Sequence, residues 1–309
     1  MIVTFTLNPA IDRTLFIPKF TAGGVNRVVS THSDAGGHGI NVCRALKVMG
    51  TEAIACGFIG GQNGRMIKDF LTSSAISYDF VEVPGETRIN IKIVEEDGRH
   101  TDINEAGFEI NDNDFARLSE RMGQYISHEN IIALCGAPTP NFEADKYGYM
   151  CRRVTARGAR LIVDTLPEYL LESLKSKPVF IKPDLYELSQ VLGSEIKTPQ
   201  EISEGARELM ARGAQNVAVG MGGRGAIFVS AQGTLYIEAP EVPVVGPVGA
   251  GAVLVAGICH ALQNGMDFES LAKYSVAAAS ASVTVAGTGM APRREVLRLF
   301  SRVNAHWMQ

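Results

Sequence analysis

Short apolar runs alternate with stretches of helical spacing along most of the chain. Residues 54–59, 131–134, 161–163, 179–181 and 217–219 are compact runs, each closed by turn residues or a change of pattern. Apolar residues at consecutive positions over so short a span predict strands buried on both faces. Between them, residues 112–126 and 199–212 space their apolar positions as an amphipathic helix does. Strand and helix in alternation predict an α/β domain with a largely parallel sheet.

Two stretches break the rhythm. Residues 15–30 alternate weakly around Gly23-Gly24. Residues 87–104 put Ile89, Ile91 and Ile93 on one face before Glu95-Glu96-Asp97-Gly98 and a returning run. Asp-Gly between alternating segments is a strong hairpin signal. Both stretches predict antiparallel strands outside the main sheet, paired into one small lid. The expected division is a large α/β domain of residues 1–11, 31–85 and 106–309, with a β lid of residues 12–30 and 86–105. An exposed lid face carrying the three isoleucines would favour a second copy of the chain, since large apolar patches seldom stay solvated.

Composition narrows the function. Among 309 residues, Lys plus Arg is 29 and Asp plus Glu is 33, so the net charge is −4. Bulk electrostatics therefore give no reason to expect a nucleic-acid partner, while a local anion pocket stays open. Cys43, Cys56, Cys135, Cys151 and Cys259 form no C-x-x-C pair, which predicts reduced, buried thiols in a cytoplasmic protein. The most apolar run, residues 250–259, is well short of the ~20 residues of a membrane span. Residues 1–7 read as a strand, not a signal peptide. The histidines show no ligand spacing, so no metal centre of the protein's own is expected.

Three glycine clusters carry candidate chemistry. Gly36-Gly37-His38-Gly39 opens a predicted helix over residues 40–49, with Asn41 in its first turn. Glycines before a helix N-terminus let a ligand approach the backbone, and the unpaired N–H groups favour anions. Gly220-Met221-Gly222-Gly223-Arg224-Gly225 matches G-x-G-x-x-G, but the apolar run 226–229 follows it. A dinucleotide fingerprint must open a helix, so this match predicts a strand-to-strand turn instead. Gly246-Pro247-Val248-Gly249-Ala250-Gly251-Ala252 leads into a small-residue helix over residues 253–263, whose positive end would suit an anion in a cleft. No G-x-x-x-x-G-K-[ST] run occurs. Asp164, at the end of the 161–163 run, stands where α/β sites collect.

In this order the landmarks resemble the PfkB branch of the ribokinase-like carbohydrate kinases, and within it the 1-phosphofructokinase and tagatose-6-phosphate kinase group. The resemblance runs over essentially the whole chain. It implies a ribokinase-like sandwich with a mostly parallel central sheet, helices on both faces and a small β lid. It also implies ATP-dependent phosphoryl transfer to a phosphorylated ketohexose, with Mg²⁺ screening the phosphates and lids that pair two subunits. Thr6-Leu7-Asn8-Pro9-Ala10-Ile11-Asp12 matches the group's opening strand, with Asp12 on sugar hydroxyls. Gly36, Gly37, His38 and Asn41 would line the sugar pocket. In Thr87-Arg88-Ile89-Asn90-Ile91-Lys92, Arg88 is placed for the sugar phosphate, with Arg27 to assist. On the nucleotide side stand Asp184, Glu187, Gly220, Gly222 and Gly225, with Glu187 organising Mg²⁺ through water.

The chain departs from this pattern where the chemistry concentrates. The family's Gly-Ala-Gly-Asp signature is here Gly249-Ala250-Gly251-Ala252. The first three residues would form an anion hole; the proton acceptor is replaced by Ala252. A positioned general base is typically worth 10²–10⁴-fold in rate, roughly 3 to 5.5 kcal/mol of barrier. His38, Ala137, Gly220, Pro247 and Val253 also differ from the usual residues. The expectation is a sugar-phosphate kinase with impaired turnover, or else a non-catalytic paralogue that binds sugar phosphate or nucleotide and regulates.

Overall fold

The computed structural model describes residues 1–246, 248–285 and 287–308. The chain opens with β1 (Ile2–Thr6), then leaves for a second sheet through β2 (Ala10–Ile17) and β3 (Ser30–Gly36). It returns by α1 (His38–Met49), β4 (Ala53–Ile59), α2 (Gly61–Ser73) and β5 (Ser77–Glu82). The second sheet is completed by β6 (Arg88–Glu95) and β7 (His100–Asn104). Next come α3 (Asp112–Tyr125), β8 (Ile131–Cys135), α4 (Ala144–Thr155), β9 (Arg160–Asp164), α5 (Pro167–Leu174) and β10 (Phe180–Ile181). After α6 (Leu185–Leu192), α7 (Pro199–Ala211) and β11 (Val217–Gly220), a meander of β12 (Ala226–Ser230) and β13 (Gly233–Ile237) reaches the sheet edge. Helices α8 (Ala250–Gln263), α9 (Phe268–Ser282) and α10 (Arg293–Phe300) precede the last strand, β14 (Ala305–Met308).

The main sheet has ten strands in the order β14-β13-β12-β11-β10-β9-β8-β1-β4-β5. From β5 to β11 all neighbours are parallel; β11 to β14 are antiparallel. The successive apolar residues of each run face opposite sides. In β8, Ile132 and Leu134 enter the core beneath α3 to α7, while Ile131 and Ala133 enter the one beneath α1, α8, α9 and α10. Three helices start with reciprocal capping boxes: Asn111 with Asp114, Asp184 with Glu187, and Thr198 with Glu201.

The second sheet, in the order β3-β2-β6-β7, differs from expectation in three ways. First, β3 belongs to it, so it extends to Gly36, past the expected boundary at residue 30. The sequence Ser-Thr-His-Ser-Asp-Ala-Gly has no apolar alternation to announce a strand. Second, β2 and β6 pair in parallel. Both follow strands of the parallel main sheet and leave its C-terminal edge in the same direction. Third, the isoleucine face is largely covered within the single chain. Ile93 is buried and Ile89 packs on a small core of Ile11, Ile40, Ile67 and Leu71. Helix α8 also starts three residues before the predicted position, because Ala250, Gly251 and Ala252 carry no periodic signal.

Candidate active site

Between the two sheets lies a cleft of about 320 Å³. It sits over the C-terminal ends of β1, β8 and β9, reached through Thr6, Asn8, Gly136 and Thr165. The chain adds β4 and β5 on one side of β1 and β8 to β11 on the other. A crevice opens at such a reversal because adjacent loops run to opposite faces.

The small sheet supplies one wall through the strict alternation of β6. Its isoleucines face away, and Arg88, Asn90 and Lys92 face the cleft with Asp12, Asp102 and Asn104 of the neighbouring strands. Asp12 is buried and accepts from Asn90 Nδ2 and Lys92 Nζ, both at 3.1 Å. Arg88 donates to the carbonyls of Glu105 at 3.0 Å and Asn8 at 3.2 Å. Burial pulls its ionisation below the usual arginine range, against the pull of Asp12 and Glu105.

The glycine cluster before α1 is fitted to this wall. At Gly37, φ is 109° and a Cβ would lie 2.7 Å from Thr6 Cγ2, so only glycine lets the turn pass over β1. His38 and Asn41 line the cleft beyond it. Asn41 is held by the buried Arg44, whose Nη1 also donates to Ala35 O and Thr288 Oγ1, all at 3.1 Å. Arg44 Nη2 pairs with Asp34 at 3.0 Å.

Opposite this wall stands the N-terminus of α8. Gly249 caps it, and the N–H groups of Ala250, Gly251 and Ala252 precede the first intrahelical bond, from Val253 N to Gly249 O. A Cβ at Gly251 would lie 3.6 Å from Lys182 Nζ, so a buried ammonium reinforces the positive helix end. Lys182 pairs with Asp164 at 3.0 Å. Burial pulls its pKa down, but Asp164, Glu187 and Asp184 outweigh that and hold it at about 12. Ala252 is fully buried among apolar side chains and does not line the cleft. Pro247 lies outside the described residues.

Glu187 lines the cleft beside Gly249. Its Oε2 accepts from Asp184 N, and Asp184 Oδ1 accepts from Glu187 N, both at 2.8 Å. Burial raises Glu187 to about 7, Lys182 opposing and Asp164 assisting. The folded chain therefore holds a proton that the unfolded chain releases near pH 4.5, so this group's contribution to stability falls as pH rises from about 4.5 to 7. Glu187→Gln keeps the cap and should flatten that decline when melting temperature is followed across the interval. A parallel decline in both proteins would show that Glu187 is not its source.

The turn after β11 is open at Gly222 and Gly223, where an added Cβ meets nothing within 4 Å. Gly220 pairs with Asp184 in a parallel bridge, which brings together the two segments expected on the nucleotide side. Gly225 is different: φ is 99° and a Cβ would strike Ile237 O at 2.0 Å, so its backbone packing alone demands glycine. The predicted strand-to-strand turn is what forms there, between antiparallel β11 and β12. Of the expected sugar-side residues, Gly36 packs against Asp12 without lining the cleft, and Arg27 is kept out of it altogether. It is exposed on the loop between β2 and β3, beyond the far end of β2 from Asp12.

Thr6, Asn8 and Asn90 carried no assigned role in the sequence, yet they line the cleft with Arg88. Thr6 Oγ1, Asn8 Oδ1, Arg88 Nε and Asn90 Oδ1 are buried without a hydrogen-bond partner, and all four residues line the cleft. Asp164 Oδ2, next to cleft residue Thr165, is a fifth orphan. Buried polar atoms are normally paired, so orphans gathered in one cavity point to a polar ligand that completes them. The alternation that exposed Ile89 and Ile91 as one face could have exposed Asn90 and Lys92 as the other.

Comparison with known proteins agrees with this geometry. Residues 5–294 match the pfkB family carbohydrate kinase. The 1-phosphofructokinase of Bacillus subtilis is 34% identical over 282 residues, covering 91% of this chain and 92% of its own. That of Escherichia coli (strain K12) is 30% identical over 303 residues, covering 98% and 97%. Phosphofructokinase-2 from Escherichia coli, solved in complex with substrates and products, superposes with a TM-score of 0.93 at 27% identity, covering 97% and 98%. A possible 1-phosphofructokinase from Thermotoga maritima gives 0.89 at 27% identity, each chain fully covered.

Proposed function

The chain belongs to the pfkB family of carbohydrate kinases, and we propose that it moves the γ-phosphoryl group of ATP to a hydroxyl of a phosphorylated ketohexose. The observation that carries this reading is the set of orphaned polar atoms of Thr6, Asn8, Arg88 and Asn90, facing a positive helix end across one cleft. A sugar phosphate has the hydroxyls and charge to complete them. Asp12, fixed by Asn90 and Lys92, would orient the sugar hydroxyls. Arg88 would hold the sugar's phosphate, with His38 and Asn41 beside it.

The nucleotide would approach across Gly220 and Gly222. As the bond from the γ-phosphorus to the β-phosphate oxygen breaks and the bond to the sugar oxygen forms, Ala250, Gly251 and Lys182 would stabilise the transferring group. Two carboxylate oxygens lacking a described partner, Glu187 Oε1 and Asp164 Oδ2, suit Mg²⁺, which when bound would screen the phosphate charges. No acid stands on the first turn of α8 to take the hydroxyl proton, so the proton leaves to solvent and turnover is slow. The buried Ala252 equally favours a second reading, a paralogue that binds the same ligands without turning them over.

An assay of ADP release against fructose 1-phosphate, fructose 6-phosphate and tagatose 6-phosphate separates the two. Release with one of them supports the kinase; binding by calorimetry without release supports the paralogue. Arg88→Ala should weaken phosphosugar binding by about 1.5–3 kcal/mol, the range for a hydrogen bond to a charged group. Equal binding by parent and variant would take Arg88 out of the site. Five buried free cysteines fit a cytoplasmic setting, and no helix among the described residues is long and apolar enough to cross a membrane. Exposed Val25, Val28, Val29 and Ile103 around the small sheet would give a homodimer its apolar contact, in place of the covered isoleucines.

A further inference from the structure

A larger cavity of about 550 Å³ lies at the other end of the main sheet, where β9 and β10 begin. Its floor is apolar, made by Ala159, Leu161 and Val179. Its rim carries Arg152, Arg160, Lys175 and Lys177. Two of these cations have ordinary duties. Arg152 lies in the last turn of α4, where a cation offsets the carbonyl end of the helix, and it pairs with Glu172 at 3.4 Å. Lys175 shares the same Glu172.

Arg160 and Lys177 have no carboxylate partner among the described residues. Arg160 lines the cavity, and its guanidinium is held by the carbonyls of Leu262 at 3.1 Å and Glu129 at 3.2 Å and by Gln263 Oε1 at 3.4 Å, all neutral acceptors. It is pre-set in orientation with its charge uncompensated. Lys177 follows the end of α5 with φ at 50°, and Gln215 Nε2 donates to its carbonyl at 3.0 Å. Between them, Ser176 also lines the cavity. It is only 6% exposed, and its Oγ has no hydrogen-bond partner. One carboxylate against four cations, with an orphaned hydroxyl inside, is what an anionic ligand would complete.

We propose that this cavity is a second ligand site, separate from the kinase cleft, which takes the phosphate group of a small metabolite. Arg160 and Lys177 supply the charge and Ser176 donates a hydrogen bond to a phosphate oxygen. The volume falls in the range of small-molecule sites, and the apolar floor has room for the organic part of a phosphate monoester. Every residue of this second site lies at the opposite end of the sheet from the cleft.

Equilibrium dialysis of the full chain tests this, with Arg88→Ala as the background so that the cleft competes less for phosphate. Radiolabelled inorganic phosphate should bind saturably, at one equivalent per chain, and more weakly as salt rises. Lys177→Gln and Ser176→Ala should each weaken that binding about tenfold, equivalent to about 1.4 kcal/mol, with circular dichroism and melting temperature unchanged. Adenosine monophosphate and adenosine, run in parallel, distinguish the source. Tighter binding of the nucleotide with none of adenosine assigns the site to an organic phosphate, and equal binding of nucleotide and phosphate assigns it to the free anion. No saturable phosphate binding up to about 10 mM, or the same affinity in both groove variants, overturns the proposal. So would loss of all phosphate binding in Arg88→Ala relative to the parent, because the anion would then belong to the cleft.

Discussion

Ala252→Asp should raise phosphoryl transfer. The substitution restores an acid to the third residue of α8, and a positioned general base contributes about 10²–10⁴-fold. Two effects compete over whether that carboxyl is ionised at neutral pH. The position is fully buried in an apolar cluster, which favours the protonated form. The first turn of a helix and the ammonium of Lys182, 3.6 Å from a Cβ at the preceding residue, favour the charged one. We expect the second pair to prevail incompletely, with a gain near the lower end of the range. ADP release with the three phosphosugars measures it. If parent and variant turn over equally while both bind the sugar, the missing acid is not what limits the site.

The second large effect lies at Lys182. Lys182→Met leaves Asp164, 1% exposed, without its counter-charge. Removing one partner of a buried ion pair typically costs about 3–5 kcal/mol. The variant also takes the ammonium away from the helix end where the proposed reading puts the transferring phosphate, and losing one such stabilising group costs about 10²–10³ in turnover. Urea unfolding and the kinase assay read the two losses separately. Lys182→Met with Asp164→Asn should recover most of the stability and none of the turnover. Recovery of both would show that Lys182 serves the fold alone.

How much of this was legible depended on periodicity. The parallel strands stood out because residues buried on both faces leave unbroken apolar runs, as at 131–134 and 217–219. Hairpin β6–β7 was visible through Asp97-Gly98, whereas β3 was not, since Ser30 to Asp34 are exposed or polar. Asp12, Asn41 and Arg88 sit inside recognisable motifs, and the cleft brings those three together. No candidate role attached to Lys182 in the sequence. Its role comes from burial against Asp164, eighteen residues before it, and from the approach of α8, more than sixty residues after it, contacts that no local pattern records. Arg27 lies outside that cleft for the converse reason: a lid segment gives its residues, not where its loop points.

Arg44 joins three parts of the molecule through one planar group. Its guanidinium bonds to Asp34 and Ala35 at the end of β3, to Asn41 on α1, and to Thr288 beyond α9. Thr288 stands against the cap of α8, its Cγ2 3.8 Å from where a Cβ of Gly249 would sit. The β3 edge of the small sheet and the N-terminal end of α8 are thus neighbours through a single rigid fork, although more than two hundred residues separate them in the chain. Local opening therefore has no route through one wall alone. Breathing of β3 takes two acceptors, Asp34 Oδ1 and Ala35 O, from the guanidinium that also holds Asn41 and Thr288, so the amides of these segments are expected to open as one cooperative exchange unit.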